Sequence, residues 1–306
     1  MYALYSDHYV IDLPSHHTFP IQKYRMIREQ LLAEGTLRPE ELLEPTPAAA
    51  PDVRLVHTLH YWERLTAGTL PANAIRRMGL PWSEALVRRS QASVQGTLTA
   101  ARIGIRERVA FNLAGGTHHA FPDRGEGYCV LNDIAVAVRC LQRDGWMQRM
   151  AIIDCDVHQG NGTAAIFTHD PDVYTFSLHG AKNYPLVKVP GTLDIGVPDG
   201  TGDEEYLRTL EPVVARILVE FRPGLVFYLA GVDPHERDRL GRLRLTHEGL
   251  RRRDEIVFQA CSDAGVPVAV TLGGGYGQDI QDTVEAHCNT VRAARAVFDD
   301  HRPVGG

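Results

Sequence analysis

The chain has 306 residues, 44% hydrophobic and 23% charged, the balance of a folded globular protein with a large core and not of a disordered one. Its formal net charge of −6 gives no electrostatic reason to expect nucleic acid or an anionic membrane as partner. Five cysteines without a C-x-x-C pair argue against a disulfide framework or a zinc knuckle, and with no leader-like N-terminus and no run of membrane-span length the expected location is cytoplasmic.

In chain order, the Pro- and Ala-rich piece Glu44 to Pro51 reads as a long loop, because the segment before it is too short for an independent domain. Val109 to Leu113 is the first short apolar run with the look of a buried strand. A helix follows from Asn132 to Leu141, stopped by Gly145, and then come strands at Met150 to Ile153 and Val173 to Ser177. Turn-rich sequence before Glu204 opens a helix to Phe221, and Leu225 to Ala230 is the next strand. Thr246 can cap a helix that ends at Gly265; Val266 to Leu272 is the fifth strand, and Asp279 opens a last helix to Phe298. Strand and helix alternate, which predicts an α/β single domain over residues 1–306, with a doubly wound, mostly parallel sheet and helices on both faces.

Polar residues collect after four of these strands. They are His118-His119, the stretch Asp154-Cys155-Asp156-Val157-His158-Gln159-Gly160-Asn161-Gly162, Asp233-Pro234-His235, and Gly273-Gly274-Gly275-Tyr276. In open α/β sheets ligands bind outside the carboxyl ends of the strands, so four clusters there can converge on one site. Asp154, Asp156 and His158 recur at intervals of two, which puts them on one face of an extended chain. Two carboxylates at the end of a buried strand call for a cation. Asp156 and His158 with Asp233 would supply three oxygen or nitrogen ligands and leave a position open, as in a catalytic zinc site. The same spacing also suits a strand end that caps the next helix. Neither "HQGNG" nor "LGGGYG" has the order of a phosphate loop.

With His118-His119, Asp156-x-His158, Asp233 and Gly-Gly-Gly-Tyr276 in that order, the chain resembles the zinc-dependent histone deacetylase family, which shares the arginase-like α/β fold. The motifs "GGTHHA", "GEGYCVLNDIAVA", "DCDVHQGNG", "FSLHG", "AGVDPHERDRLG" and "LGGGY" carry the resemblance. Gln159, Asn161 and the opening "PSHHTFPIQKYR" look like the class IV branch and its bacterial relatives. The resemblance implies a Zn²⁺ bound by Asp156, His158 and Asp233, with Tyr276 donating to the oxyanion. It implies that His118 and His119 flank the water that zinc activates, backed by Asp154 and Asn161. His119 would be the acid/base. Gly127, Tyr128, Leu240 and Gly274 would wall the tunnel for the acylated side chain. A structural K⁺ would lie among Asp154, Asp156, His158, Ser177 and Leu178, and a second ion near Phe167, Asp170 and Val173.

The expected reaction is hydrolysis of an acyl-lysine, acetyl or longer, on a peptide or protein. An acetylpolyamine or other small acylated amine is the alternative substrate for the same site. A binuclear arginase-like hydrolase would use Asp233 and His235 as further ligands, and a non-catalytic acyl-lysine binding protein would keep the fold and lose a key group. None of the expected groups is missing from the sequence.

Overall fold

The computed structural model describes residues 1–299. Its strands are β1 (Tyr2–Leu4), β2 (Leu42–Leu43), β3 (Val109–Asn112), β4 (Met150–Asp154), β5 (Val173–Gly180), β6 (Leu193–Val197), β7 (Leu225–Leu229) and β8 (Val268–Thr271). The helices are α1 (Lys23–Ala33), α2 (Ala50–Val53), α3 (Leu59–Thr66), α4 (Ala72–Met78), α5 (Glu84–Glu107), α6 (Asp133–Arg143), α7 (Asn161–Phe167), α8 (Asp203–Arg216), α9 (His247–Asp263) and α10 (Ile280–Asp299). The strands form one sheet in the order β2-β1-β3-β8-β7-β4-β5-β6, and every neighbouring pair is parallel. The helices fall into two packed sets, α5 with α6 and α7, and α1 with α8, α9 and α10, as a doubly wound sheet requires.

Register brings the polar strand ends level. Asn112 of β3 pairs with Thr271 of β8, Thr271 with Leu229 of β7, and Leu229 with Asp154 of β4. The four central strands therefore end in one row, and the loops that leave them share one crevice. All four are buried along their length, which explains their unbroken apolar runs.

Three strands and several helices have no counterpart in the predicted set. β1 and β2 are too short to show a period, and the edge strand β6 is half exposed, so its sequence lacks a continuous apolar run. The 24-residue α5, capped by Ser83, buries Ala92, Ser93, Gly96, Thr97, Ala100 and Gly104. These small residues let it lie close on the sheet, and they dilute the larger apolar positions Leu86, Val94 and Leu98 that it also buries. The expected loop from Glu44 to Pro51 is tied down: Ala48 is buried and bonded to Gln91 of α5, and Ala50 and Pro51 open the one-turn α2. The helix expected to run to Phe221 has a change of winding, with α8 ending at Arg216 and a π-turn over Ile217–Phe221. No described helix is long and apolar enough to cross a membrane.

Candidate active site

Beyond β4 the chain continues as Cys155-Asp156-Val157-His158, and Asp233 follows the neighbouring β7. Asp156, His158 and Asp233 are buried, and one ligand-capable atom from each lies within 4.8 Å of the other two. His158 Nδ1 is 3.0 Å from both Asp156 Oδ1 and Asp233 Oδ2. The other carboxylate oxygens accept backbone bonds, Asp156 Oδ2 from Gly274 N at 2.7 Å and Asp233 Oδ1 from Val157 N at 2.8 Å. Beneath them the buried Arg253 donates to the carbonyls of Cys155 and Gly231, joining the two ligand loops.

Electrostatics shows what this cluster needs. Burial works against a charged His158, yet Asp233 and Asp156 hold its pKa up at about 10. Burial and the Asp156 charge push Asp233 up to about 7. The cluster retains protons because it carries more negative charge than its surroundings can solvate. A divalent cation satisfies the same excess, and two carboxylates with one imidazole fit zinc with a position left open.

The histidine pair sits on the loop after β3. Asp133, the first residue of α6, accepts from the amides of Gly116 (3.1 Å) and Thr117 (2.8 Å) and shapes that loop. Gly116 has φ +74°, and a Cβ there would come within 2.7 Å of Gly273 Cα, so the approach of the β3 and β8 loops requires glycine. His118 Nδ1 lies 2.6 Å from Asp154 Oδ2, and His119 Nδ1 lies 2.7 Å from Asn161 Oδ1. Burial lowers both rings, but at His118 the Asp154 and Asp156 carboxylates outweigh it and hold the pKa at about 9. At His119, burial and then the neighbouring His118 and His158 drive the pKa well below the ordinary histidine value.

Two residues that the motifs did not single out complete this arrangement. Asn161 Nδ2 donates to Glu126 Oε1 at 3.3 Å, and the Tyr184 hydroxyl donates to the same oxygen. Glu126 thereby sets which end of the Asn161 amide faces His119. Tyr184 also stands edge-on to the His119 ring, with centroids 5.0 Å apart. The signal for Glu126 lay inside "GEGYC", but nothing in its spacing separates it from a solvated acid.

Tyr276 is 8% exposed, with its ring 6.3 Å from that of His158 and 5.9 Å from that of Tyr128. Burial, then Asp156 and Asp233, raise its hydroxyl well above the usual tyrosine range, so it remains a donor. Its loop is held by Asp238, which accepts from Tyr276 N at 2.6 Å, and by Lys23, which donates to the Gly273 carbonyl at 3.0 Å. Burial lowers the Lys23 pKa to about 8 against the pull of Asp233 and Asp156. Neither Asp238 nor Lys23 is apparent as a site residue from the sequence, because the contacts span 38 and 250 positions.

Of these groups, His119, His158 and Tyr276 line an open cavity of about 430 Å³, where they meet Gly127, Tyr128 and Leu240. Gly274 is not on that wall. It borders a smaller space of about 30 Å³ behind the site, and a Cβ on it would fall 2.0 Å from Asp233 Oδ2. Ser177 pairs in register with Asp154, and its Oγ is 2.9 Å from His179 Nδ1. The carbonyl of the next residue, Leu178, accepts from Tyr206 at 3.4 Å. Farther away, Val173 N donates to the Asp170 carbonyl, while the Asp170 carboxylate is ion-paired with Arg139, which also covers the Phe167 ring.

Comparison with known proteins shows the family and the fold. The family model described as the histone deacetylase domain matches residues 17–291. An uncharacterized protein of Picosynechococcus sp. is 45% identical over 296 residues, covering 97% of this chain and 99% of that protein. Histone deacetylase 2 of Arabidopsis thaliana is 29% identical over 282 residues (88% of this chain, 73% of that protein). The acetoin utilization protein AcuC of Staphylococcus aureus is 29% identical over 283 residues (85% and 72%). The solved structure of an HDAC homolog from Aquifex aeolicus superposes with a TM-score of 0.82 at 24% identity, over 97% of this chain and 88% of that one, which shows the shared fold. The family is zinc-dependent and acts on acylated substrates, and the buried Asp156, His158 and Asp233 triad is a candidate metal centre consistent with it. The chain belongs to the histone deacetylase family and is a deacetylase-type hydrolase.

Proposed function

We propose that this protein removes acetyl or longer acyl groups from lysine side chains. The observation that carries the proposal is that a neutral imidazole, a protonated phenol and His158 of the metal-competent triad line one cavity, with Asp156 and Asp233 each 3.0 Å from His158 Nδ1. Asp156, His158 and Asp233 would hold zinc. When bound, zinc supplies a Lewis acid for the amide carbonyl and lowers the pKa of a water to about 7.

The remaining roles belong to the chain's own side chains. Tyr276 donates its hydroxyl to the amide oxygen as negative charge develops there. His119, kept neutral by its surroundings, takes a proton from the attacking water and returns it to the leaving amine. His118, held basic by Asp154, supplies positive charge beside the reacting carbon. Gly127, Tyr128 and Leu240 flank the acylated stem, with Gly274 backing the floor. We assign structural potassium to Asp154, Asp156, His158, Ser177 and Leu178; the pairing of Asp154 with Ser177 across β4 and β5 supports it. We also read residues 1–306 as one functional unit, supported by a main apolar core that runs from Met1 to Phe298. A cytoplasmic location fits five cysteines that are all buried and unpaired.

An acetylated polyamine can undergo the same chemistry. A mass-spectrometric panel of acetyl-lysine peptide, long-chain acyl-lysine peptide and acetylpolyamine, with chelator and Tyr276→Phe controls, tests the proposal. Turnover of an acyl-lysine peptide that both controls suppress supports it; turnover of acetylpolyamine alone would replace it with the second substrate class.

A further inference from the structure

The mouth of the cavity differs in charge from the protein as a whole. The chain carries a net charge of −6, yet the charged residues that line this cavity are Arg77, Lys182 and Arg242, with no aspartate or glutamate among the lining side chains. Arg77 and Lys182 are exposed, and no acidic group lies within ion-pair distance of either among the described residues. Arg242 is paired with Asp199 at 3.2 Å on the exposed side. Glu126 and Asp238, next in sequence or nearly so to the lining residues Gly127 and Leu240, are already engaged. Glu126 takes Arg124 at 3.2 Å together with Tyr184 and Asn161, and Asp238 accepts the amides of Leu240, Gly241 and Tyr276.

Apolar surface adjoins these cations. Leu186 is 90% exposed and lines the mouth, Val187 beside it is 82% exposed, and Leu240 on the facing loop is 40% exposed. Unpaired cations beside exposed apolar side chains match a ligand that brings negative charge and an apolar group together.

We propose that this mouth selects acyl-lysine carried in an acidic segment with an apolar neighbour, and that it disfavours polycationic acyl amines. The inference rests on the deacylase reading above and names its substrate class. A cleft lined by one sign of charge attracts the opposite sign and repels its own. A polyamine would bring its remaining ammonium groups against Arg77 and Lys182, whereas Asp or Glu beside the acylated lysine would pair with them. The acyl group itself is neutral, so the preference arises at the rim and leaves the floor chemistry unchanged.

The test uses acetyl-lysine peptides with one shared apolar neighbour and flanks of Asp/Glu, Ser/Gly or Lys/Arg, plus acetylspermidine, with kcat/KM measured for each. The expected order at low salt is acidic over neutral over basic, about tenfold per step. Raising salt from about 0.01 M to about 1 M shortens the Debye length from about 30 Å to about 3 Å and should collapse the order. The double substitution R77E/K182E should invert it. Equal values across the set, or preference for basic flanks or acetylspermidine, would overturn the proposal. Binding of the same peptides to Tyr276→Phe, followed by fluorescence anisotropy, separates the two layers of argument. Tightest binding of the acidic peptide without wild-type turnover would sink the hydrolytic reading and leave the rim selection standing. Turnover with no charge preference would do the reverse.

Discussion

His118 and His119 are adjacent, equally buried and only 4.1 Å apart between ring centroids, yet their surroundings push them in opposite directions. A carboxylate faces one Nδ1 and a neutral amide faces the other. Asp154 keeps His118 basic, while Asn161 orients His119 without adding charge. Burial lowers both rings; the carboxylates near His118 outweigh it, whereas at His119 the neutral amide does not and the neighbouring imidazoles add to it. Two identical side chains can in this way divide proton transfer from electrostatic support.

The largest expected way to break this comparison is to delete each ring in turn. His119→Ala should lower kcat by ~10²–10⁴, and His118→Ala by clearly less, in steady-state assays on one acyl-lysine peptide. Equal losses would mean that the rings share the proton, and a larger loss at His118 would exchange their roles. Tyr276→Phe comes next, with an expected loss of ~10²–10³ that falls mainly on kcat if, as proposed above, its hydroxyl acts as charge develops. A loss confined to KM would instead make Tyr276 a ground-state contact.

A finer test removes the group behind Asn161. Glu126→Ala frees the Asn161 amide to turn, and we expect kcat to fall by about tenfold, in line with the loss of one hydrogen bond of about 1.4 kcal/mol. Glu126→Gln keeps an acceptor for Asn161 and Tyr184 and should restore most of that loss. If the Gln and Ala variants lose activity equally, the carboxylate charge and not the orientation of the amide is what matters.

The smallest expected effect sharpens the comparison most. Asn161→Asp gives His119 the kind of partner that His118 already has. The His119 pKa is depressed by burial and by His118 and His158, so a new carboxylate at Nδ1 should raise it. A base that must be neutral loses activity as pH falls through its pKa, so the acidic limb of the kcat/KM profile should move to higher pH. An unmoved limb would show that Asn161 does not set the charge of that ring.

Much of the fold was legible because the central strands are buried on both faces and so carry unbroken apolar runs. Leu225–Leu229 and Met150–Asp154 read directly from sequence for that reason. The edge strand at Leu193–Val197 did not, since half-burial mixes its residue types. Helix α5 was not read because small and polar residues on its buried face, Ser90, Ala92, Ser93, Gly96 and Thr97, interrupt the apolar positions Leu86, Val94 and Leu98. In the site, the strand-end motifs named the chemically capable residues, since Asp, His and Tyr beside glycine are unusual in such apolar surroundings. Glu126, Lys23, Asp238 and Asp133 escaped notice because each acts through hydrogen bonds to backbone or side-chain atoms that only the folded chain brings near.

The sequence by itself determined the alternation of strand and helix, the four polar strand ends and the set of groups able to bind a metal, because local periodicity and residue chemistry are written along the chain. Tertiary structure alone decided that β3, β8, β7 and β4 lie side by side with Asn112, Thr271, Leu229 and Asp154 in one row. It also decided that Arg77, Lys182 and Arg242 surround the same mouth, while the partners of the two histidines are those the family resemblance implied. Strand order and register are set by packing between segments far apart along the chain, such as β3 with β8 and β4 with β7, and no local pattern records them.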